Sequence, residues 1–257
     1  MTLPKQLLKK FEEFELKSSK FISIEHEIYN GPEIVVPFLI SNFSSHEVFV
    51  FSFGESPMNL IYLSKRCGLT ISKLPNVRLF DCLSLLSNLV DDHYPIINQK
   101  PSTYFEQTSS KLNCESSKQI CENLIDYIFS KIKTSKNPIV IFNGIHFVGK
   151  LFESDSNTFT KYFFTFLHKI FEFATEKTII TFEKHFLKKY PQIKNFVIFQ
   201  IDFEIKLKDL KQGSSPDYLG NVTFRNKISQ KSKDSKKELK IVNSNGSLEF
   251  VEQIKIA

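Results

Sequence analysis

Five short apolar runs separated by helical stretches are the feature that most constrains the fold of this 257-residue chain. Each run has the length and apolar content of a buried strand, and amphipathic segments such as residues 117–133 lie between the runs. Strands joined by helices form a parallel sheet with right-handed crossovers. The sequence therefore predicts an α/β fold with a mainly parallel central sheet flanked by helices. The predicted strands cover residues 20–28, 47–53, 76–81, 138–143 and 177–183.

The pattern changes after residue 194, because alternating runs then follow one another with no helix between them. Such runs predict strands with one buried face. The Asn-Ser-Asn-Gly stretch at 243–246 is typical of a tight turn, so the last two runs are predicted to form a hairpin. We expect these strands to extend the sheet as an antiparallel meander. The runs cover residues 195–207, 219–227, 237–246 and 247–256.

No linker-like break divides the chain, so we expect a single domain spanning residues 1–257. Within it, residues 1–19 are predicted to form an N-terminal helix. Residues 91–117 are polar, contain two prolines and are predicted to form a long loop. Residues 229–238 are predicted to form a basic loop.

Composition argues against a membrane protein and against a cysteine-rich secreted one. No apolar run approaches the roughly 18 to 20 residues of a membrane span, and the N-terminus lacks an apolar signal core. The four cysteines show neither a CxxC pair nor metal-like spacing. We therefore expect a soluble intracellular protein with reduced structural thiols.

The run at 139–143 ends in Asn143, where a P-loop ATPase has an aspartate that helps hold magnesium. The loop after the first strand also lacks GxxxxGK[ST], the motif whose amides and lysine bind phosphates. Gly31 is followed by a proline, and Glu25, Glu27 and Glu33 would repel a triphosphate. The motifs GxSxG, HExxH and GxGxxG are absent. The sequence predicts a chain without enzymatic activity, cofactor or metal.

Basic charge is concentrated near the C-terminus. Residues 206–240 contain ten Lys or Arg and four acidic residues, and this excess equals the net charge of +6 for the whole chain. Such a tract either contacts nucleic-acid phosphates or forms a solvated polar loop. The sequence leaves both interpretations open.

Three stretches resemble the RecA-like subunits of the Elongator complex. They are NVRLFDCLSLL at the third strand, NPIVIFNGIHFVGKLF at the fourth, and DYLGNVTFRNK before the final hairpin. The resemblance runs from Lys20 to the end of the chain, with residues 91–117 the most divergent. It is strongest to the sixth Elongator subunit, and the fifth subunit is the close alternative.

The resemblance implies a non-catalytic subunit in a ring of six RecA-like domains. Its partners would be the fourth and fifth Elongator subunits, the catalytic subcomplex that modifies wobble uridines, and tRNA, with no membrane involved. A cytoplasmic location, and a nuclear one as well, would follow. Asn143 would be the remnant of a magnesium-ligand position in a degenerate nucleotide site.

In RecA-like rings the loops after the fourth and fifth strands face the central opening. The segment after the fifth strand here is EKHFLKKYPQIKN, so the resemblance implies RNA contacts for its lysines. The alternative is a solvated amphipathic helix end with Phe186 and Leu187 packed inward. The candidate RNA-contacting residues are Lys184, Lys188, Lys189 and Lys194.

Two other classes of function remain open from sequence. The first is a catalytically inactive RecA-like recombinase paralogue that acts on DNA. The second is an α/β enzyme such as a methyltransferase, which would need a glycine-rich turn after the first strand. The stretch HEIYNGPE, residues 26–33, provides only one glycine there.

Overall fold

One continuous ten-stranded sheet runs through the described part of the chain, which we analysed as a computed structural model. The structure describes residues 16, 18–27, 35–43, 45–66, 68–85, 105–106, 117–152, 156–173, 175–209, 218–227, 236–244 and 247–252. Across the sheet the order is β10-β9-β8-β7-β1-β6-β5-β2-β3-β4. The strands are β1 (Phe21–His26), β2 (Val48–Ser52), β3 (Val77–Asp81), β4 (Phe105–Glu106), β5 (Ile139–Asn143), β6 (Lys177–Glu183), β7 (Phe203–Asp209), β8 (Tyr218–Asn226), β9 (Lys236–Ser244) and β10 (Ser247–Glu252).

Helices lie on both faces of the sheet, as expected when parallel strands need crossover connections. They are α1 (Val36–Asn42), α2 (Pro57–Arg66), α3 (Ser117–Ile132), α4 (His146–Phe152), α5 (Ser156–Glu172), α6 (Lys184–Lys189) and α7 (Pro191–Gln200). Among the described residues, none of these helices is long and apolar enough to cross a bilayer.

The sheet separates two apolar cores, because successive strand residues point to opposite faces. Val48 and Val50 of β2 enter the core beneath α1 and α2, whereas Phe49 and Phe51 enter the core beneath α3 and α5. In the second core the Phe51 ring stacks on Phe80 at 4.7 Å and on Phe142 at 5.6 Å between ring centroids. These contacts across β3, β2 and β5 fix the carboxyl ends of the central strands relative to one another.

The mainly parallel sheet and the C-terminal extension are confirmed. β1, β2, β3, β5 and β6 pair in parallel, and β8, β9 and β10 pair in antiparallel fashion, with β9 and β10 forming the predicted hairpin. β7 differs from the expected meander because it pairs in parallel with β1. The sheet therefore changes from parallel to antiparallel at β7.

The prediction of a strand from residue 195 was wrong. Residues 195–200 belong to α7, and the strand begins only at Phe203. The segment after β6 is likewise not a loop, because it forms α6 and α7. Short apolar runs do not distinguish a strand from a buried helix by periodicity, and Pro191 at the start of α7 was the better signal.

Two predicted loops also contain strand residues. Phe105–Glu106 pairs in parallel with β3 inside the segment predicted as a loop at 91–117, and α3 begins at Ser117. The predicted basic loop at 229–238 ends earlier than expected, because β9 begins at Lys236. The N-terminal helix predicted for residues 1–19 lies almost wholly outside the described residues.

α3 confirms the predicted amphipathic helix, with one change in its buried stripe. The helical spacing of apolar residues in 117–133 places Phe129 on the apolar stripe, but its side chain is 52% exposed. Cys121 is buried instead, and its thiol donates a hydrogen bond to the carbonyl oxygen of Tyr162 at 3.5 Å. Among the described cysteines, Cys82 and Cys121 are free and buried, and burial raises the pKa of the Cys121 thiol to about 11. Both are structural thiols, as predicted.

Candidate functional site

The carboxyl ends of β2 and β5 are held together by two glycines. Gly144 has a φ of +76°, a conformation that favours glycine. A Cβ atom there would approach the backbone nitrogen of Gly54 to 2.8 Å. The amide of Phe53 also donates to the carbonyl oxygen of Asn143 at 2.8 Å. The strand ends therefore approach each other closely at Asn143.

Asn143 is 1% exposed, and both ends of its side-chain amide are engaged within the protein. Its nitrogen donates to a carboxylate oxygen of Glu55 at 2.7 Å, and its oxygen accepts from the hydroxyl of Thr181 at 3.1 Å. The Thr181 hydroxyl oxygen in turn accepts from the amide of Gly144 at 2.6 Å. Register places Ser52 of β2 beside Asn143, and the Ser52 hydroxyl donates to the carbonyl oxygen of Glu55 at 2.7 Å.

This arrangement does not fit Asn143 as a magnesium ligand. A ligand for Mg²⁺ presents oxygen to the ion, whereas the oxygen of Asn143 accepts from Thr181 and its nitrogen is directed at Glu55. Among the described residues, no three His, Cys, Asp or Glu side chains come together as a metal ion would require. Asn143 instead takes part in a hydrogen-bond network at the carboxyl ends of the central strands.

Glu55 is the one acid of this network, which we define as Ser52, Glu55, Asn143 and Thr181. Burial raises the pKa of the Glu55 carboxyl, and hydrogen bonds from Asn143 and Asn59 oppose that shift. The Asn59 side chain donates to the second carboxylate oxygen at 2.9 Å. The side-chain amides of Asn59 in α2 and Asn143 in β5 thus both donate to the Glu55 carboxylate.

Two histidines, His26 and His146, lie at the carboxyl ends of β1 and β6. The rings of His26 and His146 lie 5.7 Å apart between centroids. Nδ1 of His146 accepts from the amide of Glu183 at 3.2 Å, which places the ring proton of the neutral form on Nε2. Burial, with smaller contributions from His26 and Lys150, lowers the pKa of His146 to about 3. His146 is therefore neutral at physiological pH.

The four lysines predicted to contact RNA occupy different environments. Lys184 pairs with the carboxylate of Glu27, which lies just after β1. Lys188 and Lys189 are exposed on α6, and the Lys189 ammonium lies 5.1 Å from the centroid of the Tyr190 ring. Lys194 lies on α7, where it lines a small pocket. The four lysines therefore differ in their exposure and in the groups they contact.

Phe186 and Leu187 are buried, as the amphipathic-helix interpretation predicted. They are followed in α6 by the exposed Lys188 and Lys189, so that helix has one packed side and one basic side. The packed face contacts α5, where Phe163 lies 5.5 Å from Phe186 between ring centroids. α6 is thus a fixed element that presents Lys188 and Lys189 to solvent.

Sequence reasoning missed Glu55, Thr181 and the two histidines. Glu55 lies 88 residues before Asn143, and Thr181 lies 38 residues after it. Glu55 follows β2 and His26 ends β1, and the carboxyl ends of parallel strands meet at one edge of a sheet, so position was a signal for these two residues. Thr181 lies inside β6 and offered no such signal. Which of them would touch Asn143 depended on the strand order, which sequence did not provide.

Comparison with known proteins identifies the architecture. No protein-family profile and no curated protein sequence matches the chain. A KaiC-like protein from the hyperthermophilic archaeon Pyrococcus horikoshii OT3 superposes with a TM-score of 0.58 at 11% identity, over 90% of this chain and 89% of that one. The fold is RecA-like.

A second solved structure supports the RecA-like fold. An uncharacterized protein from Pyrococcus horikoshii, crystallised in complex with an unknown peptide, has a TM-score of 0.58 at 10% identity. The match covers 96% of this chain and 98% of that one. Identities this low establish the RecA-like architecture and no shared activity. Within that architecture, the network of Asn143 lies at the carboxyl edge of the sheet, where open α/β sheets bind ligands.

Proposed function

We propose that this chain is a non-catalytic subunit of the hexameric RecA-like ring of the Elongator complex. There it supports tRNA binding and, through it, the modification of wobble uridines by the catalytic subcomplex. The sixth subunit is the assignment favoured by the sequence resemblance, with the fifth as the alternative. The partners are the fourth and fifth (or sixth) subunits of the ring.

The observation that carries the proposal is the closed network at Asn143. Its amide bonds Glu55 and Thr181 inside the protein, so the strand end that would face a nucleotide-bound magnesium is occupied by protein contacts. An active RecA-like ATPase needs that edge open to phosphates and metal. A RecA-like fold with this edge closed suits a role in assembly and RNA binding.

The sequence after β1 supports the same conclusion. The stretch HEIYNGPE offers no lysine to phosphate, and Pro32 has no amide hydrogen to donate. Glu27 of this stretch pairs with Lys184, so an acid lies where a P-loop would place positive potential.

Capture of the endogenous protein followed by mass spectrometry tests the proposal. We expect the fourth subunit of Elongator, the remaining ring subunit and the catalytic subcomplex to be recovered together. Recovery of DNA recombinases instead would support the inactive recombinase paralogue.

Nucleotide binding distinguishes the enzyme alternatives. We expect neither ATP nor S-adenosylmethionine to saturate the purified chain, and no ATP turnover. Turnover that disappears on mutation of Asn143 or Glu33 would contradict the proposal.

A further inference from the structure

Beneath α7, the sheet carries polar side chains on a face that is elsewhere apolar. Ser23 of β1 and Glu204 of β7 are neighbours in the parallel register. Two residues further along, Glu25 and Lys206 are neighbours in the same way. All four point to the same side of the sheet as Phe182, which is buried in the second core. Burying such hydroxyl and carboxylate groups is unfavourable unless they are hydrogen-bonded.

A small pocket lies between these polar strand residues and α7. Ser23, Glu25 and Glu204 line it from the sheet, and Lys194 and Val197 line it from the helix. The pocket has room for about one water molecule. Ser23 and Glu204 are each only 5% exposed, so its polar wall is largely removed from bulk solvent. The pocket is therefore a polar site inside the protein that is large enough for one very small molecule.

The charges around the pocket decide what kind of molecule it can hold. The Lys206 ammonium lies 3.1 Å from the carboxylate of Glu204 and 3.7 Å from that of Glu25. Lys194 in the wall is a second cation, and Arg225, the register neighbour of Glu204 on β8, is a third. The two carboxylates repel an anion, and the three cations offset the attraction of the carboxylates for a metal ion or an ammonium ion. The occupant should therefore be neutral.

We propose that the pocket binds one ordered water molecule, which links Ser23 to the carboxylates at the junction of β1 and β7. The water accepts a hydrogen bond from the Ser23 hydroxyl and donates one each to Glu25 and Glu204. Three hydrogen bonds are the usual number for a buried water. The β1–β7 pair is the last parallel pair before the sheet becomes antiparallel, so the water stabilises the sheet where its pairing changes.

Water fits the pocket better than an organic ligand does. A larger molecule would have to displace α7, whose Val197 is packed in the second core. An apolar molecule of the right size would leave the carboxylates without hydrogen bonds on the pocket side, which is costly in a site removed from solvent. A water molecule supplies two donors and accepts from the serine hydroxyl without any change in the surrounding helix.

A crystal structure of the full-length chain, at a resolution that shows ordered water, tests occupancy directly. We expect one water at about 2.6–3.2 Å from the Ser23 hydroxyl oxygen and from a carboxylate oxygen of Glu25 or Glu204. A pocket without density in such a structure, or one filled by a protein side chain, would contradict the proposal.

Chemical denaturation of Ser23→Ala tests the same hydrogen bond in solution. If water is bound, the variant loses a hydrogen bond, and we expect the equilibrium constant of unfolding to rise about 2- to 12-fold. If the pocket holds no water, removal of the buried hydroxyl should leave that constant unchanged or lower it, because a buried polar group without a partner is destabilising. The sign of the change therefore separates the two cases.

Thr223→Val is the matched control for loss of a buried hydroxyl. Thr223 of β8 is 5% exposed, and its hydroxyl has no hydrogen-bond partner among the residues that the structure describes. It does not line the pocket. We expect its replacement to leave the unfolding equilibrium unchanged or to favour the folded chain. The same response at Thr223 and Ser23 would count against a water at Ser23.

Denaturation in chloride salts of sodium, potassium and ammonium, at equal concentration, distinguishes water from a bound cation. We expect the wild-type midpoint to be the same in all three salts. A higher midpoint in one salt that disappears in Ser23→Ala would assign the pocket to that cation and would refute the water site.

Occupancy of the pocket does not depend on membership of the Elongator ring. Capture of the protein without Elongator subunits would contradict the proposed function and leave the water site intact. A dry pocket in a chain that recovers those subunits would contradict the water site alone.

Discussion

Asn143 and Glu55 form a pair in which a neutral amide donates to a carboxylate that is largely removed from water. Burial raises the pKa of that carboxyl, and the hydrogen bonds from Asn143 and Asn59 oppose this shift because they stabilise the carboxylate. A group whose pKa is raised by folding stabilises the protein at pH values below the pKa it has in the unfolded chain. That contribution is lost as the pH rises through the pKa it has in the folded protein. Glu55 therefore costs stability at neutral pH, and Asn143 reduces that cost.

Asn143→Asp restores the acid of an active nucleotide site but places two carboxylates in contact. We expect the free energy of unfolding to fall by about 1–3 kcal/mol at pH 7, because the donor is lost and a like charge is added. Chemical denaturation measures this loss. Adding Glu55→Gln should recover most of it, since a glutamine amide can donate to Asp at position 143. No recovery in the double variant would show that the pair does not control this site.

Asn143 was recognisable from sequence because a fully apolar run ended there. Its partners were not, since Glu55 sits in a turn after β2 and Thr181 sits inside β6. Neither residue occupies a position that local periodicity distinguishes. Side-chain contacts between neighbouring strands depend on strand order and register, and those are properties of the assembled sheet.

The first turn of α4 places a neutral histidine inside the protein. The pKa of His146 is lowered from 6.5 to about 3. Between these two pH values the histidine is therefore protonated in the unfolded chain and neutral in the folded chain. Its stability contribution is complete above pH 6.5 and is lost as pH falls toward 3. His26, Lys150 and Glu183 are the titratable groups around it.

We expect His146 to account for a loss of about 2 kcal/mol of stability between pH 7 and pH 5. His146→Asn retains an acceptor for the amide of Glu183 but does not titrate. The variant should be less stable at pH 7 and should show a flatter dependence of unfolding free energy on pH. Denaturant titrations at pH 7, 6 and 5 measure both. Parallel pH profiles for the two proteins would contradict this assignment.

α6 presents two exposed lysines that the resemblance connects with RNA. In reconstituted rings, Lys188→Glu/Lys189→Glu should weaken binding of different tRNAs to a similar extent, because phosphate contacts do not depend on sequence. Each lost contact should lower the salt slope by about 0.7 to 0.9. Lys184 is left intact because it pairs with Glu27. Lys133→Glu/Lys136→Glu, at two other exposed lysines, is the matched control. Unchanged affinity in the α6 variant would remove RNA contact from this helix.

Periodicity predicted the central strands well and failed where helix and strand patterns overlap. The strands predicted at 138–143 and 177–183 match β5 and β6 to within one residue, because both are buried on both faces and contain runs of β-branched and aromatic residues. Residues 195–200 were assigned to a strand because Phe196, Val197 and Ile198 are apolar in succession. In α7 only Val197 of these three is fully buried, and packing against α5 stabilises the helix there.

The whole molecule exposes large apolar side chains on both sides of the sheet. Tyr62 and Met58 of α2 are 61% and 57% exposed, and Phe199 of α7 and Phe129 of α3 are 87% and 52% exposed. A ring subunit contacts neighbours on two sides, so the isolated chain is expected to associate or precipitate. Sedimentation at increasing concentration measures this. A stable monomer at high concentration would count against ring membership.

The position of β1 has a consequence for the order in which the chain can fold. β1 comes near the start of the sequence but lies between β6 and β7, which end at residues 183 and 209. At a synthesis rate of about 5–20 residues per second, both flanking strands follow β1 only after roughly 10–40 seconds. Until then Ile22 and Ile24, which are fully buried in the finished sheet, have no strand on either side. The nascent chain therefore exposes an unpaired apolar strand through most of its synthesis, a state that chaperones recognise.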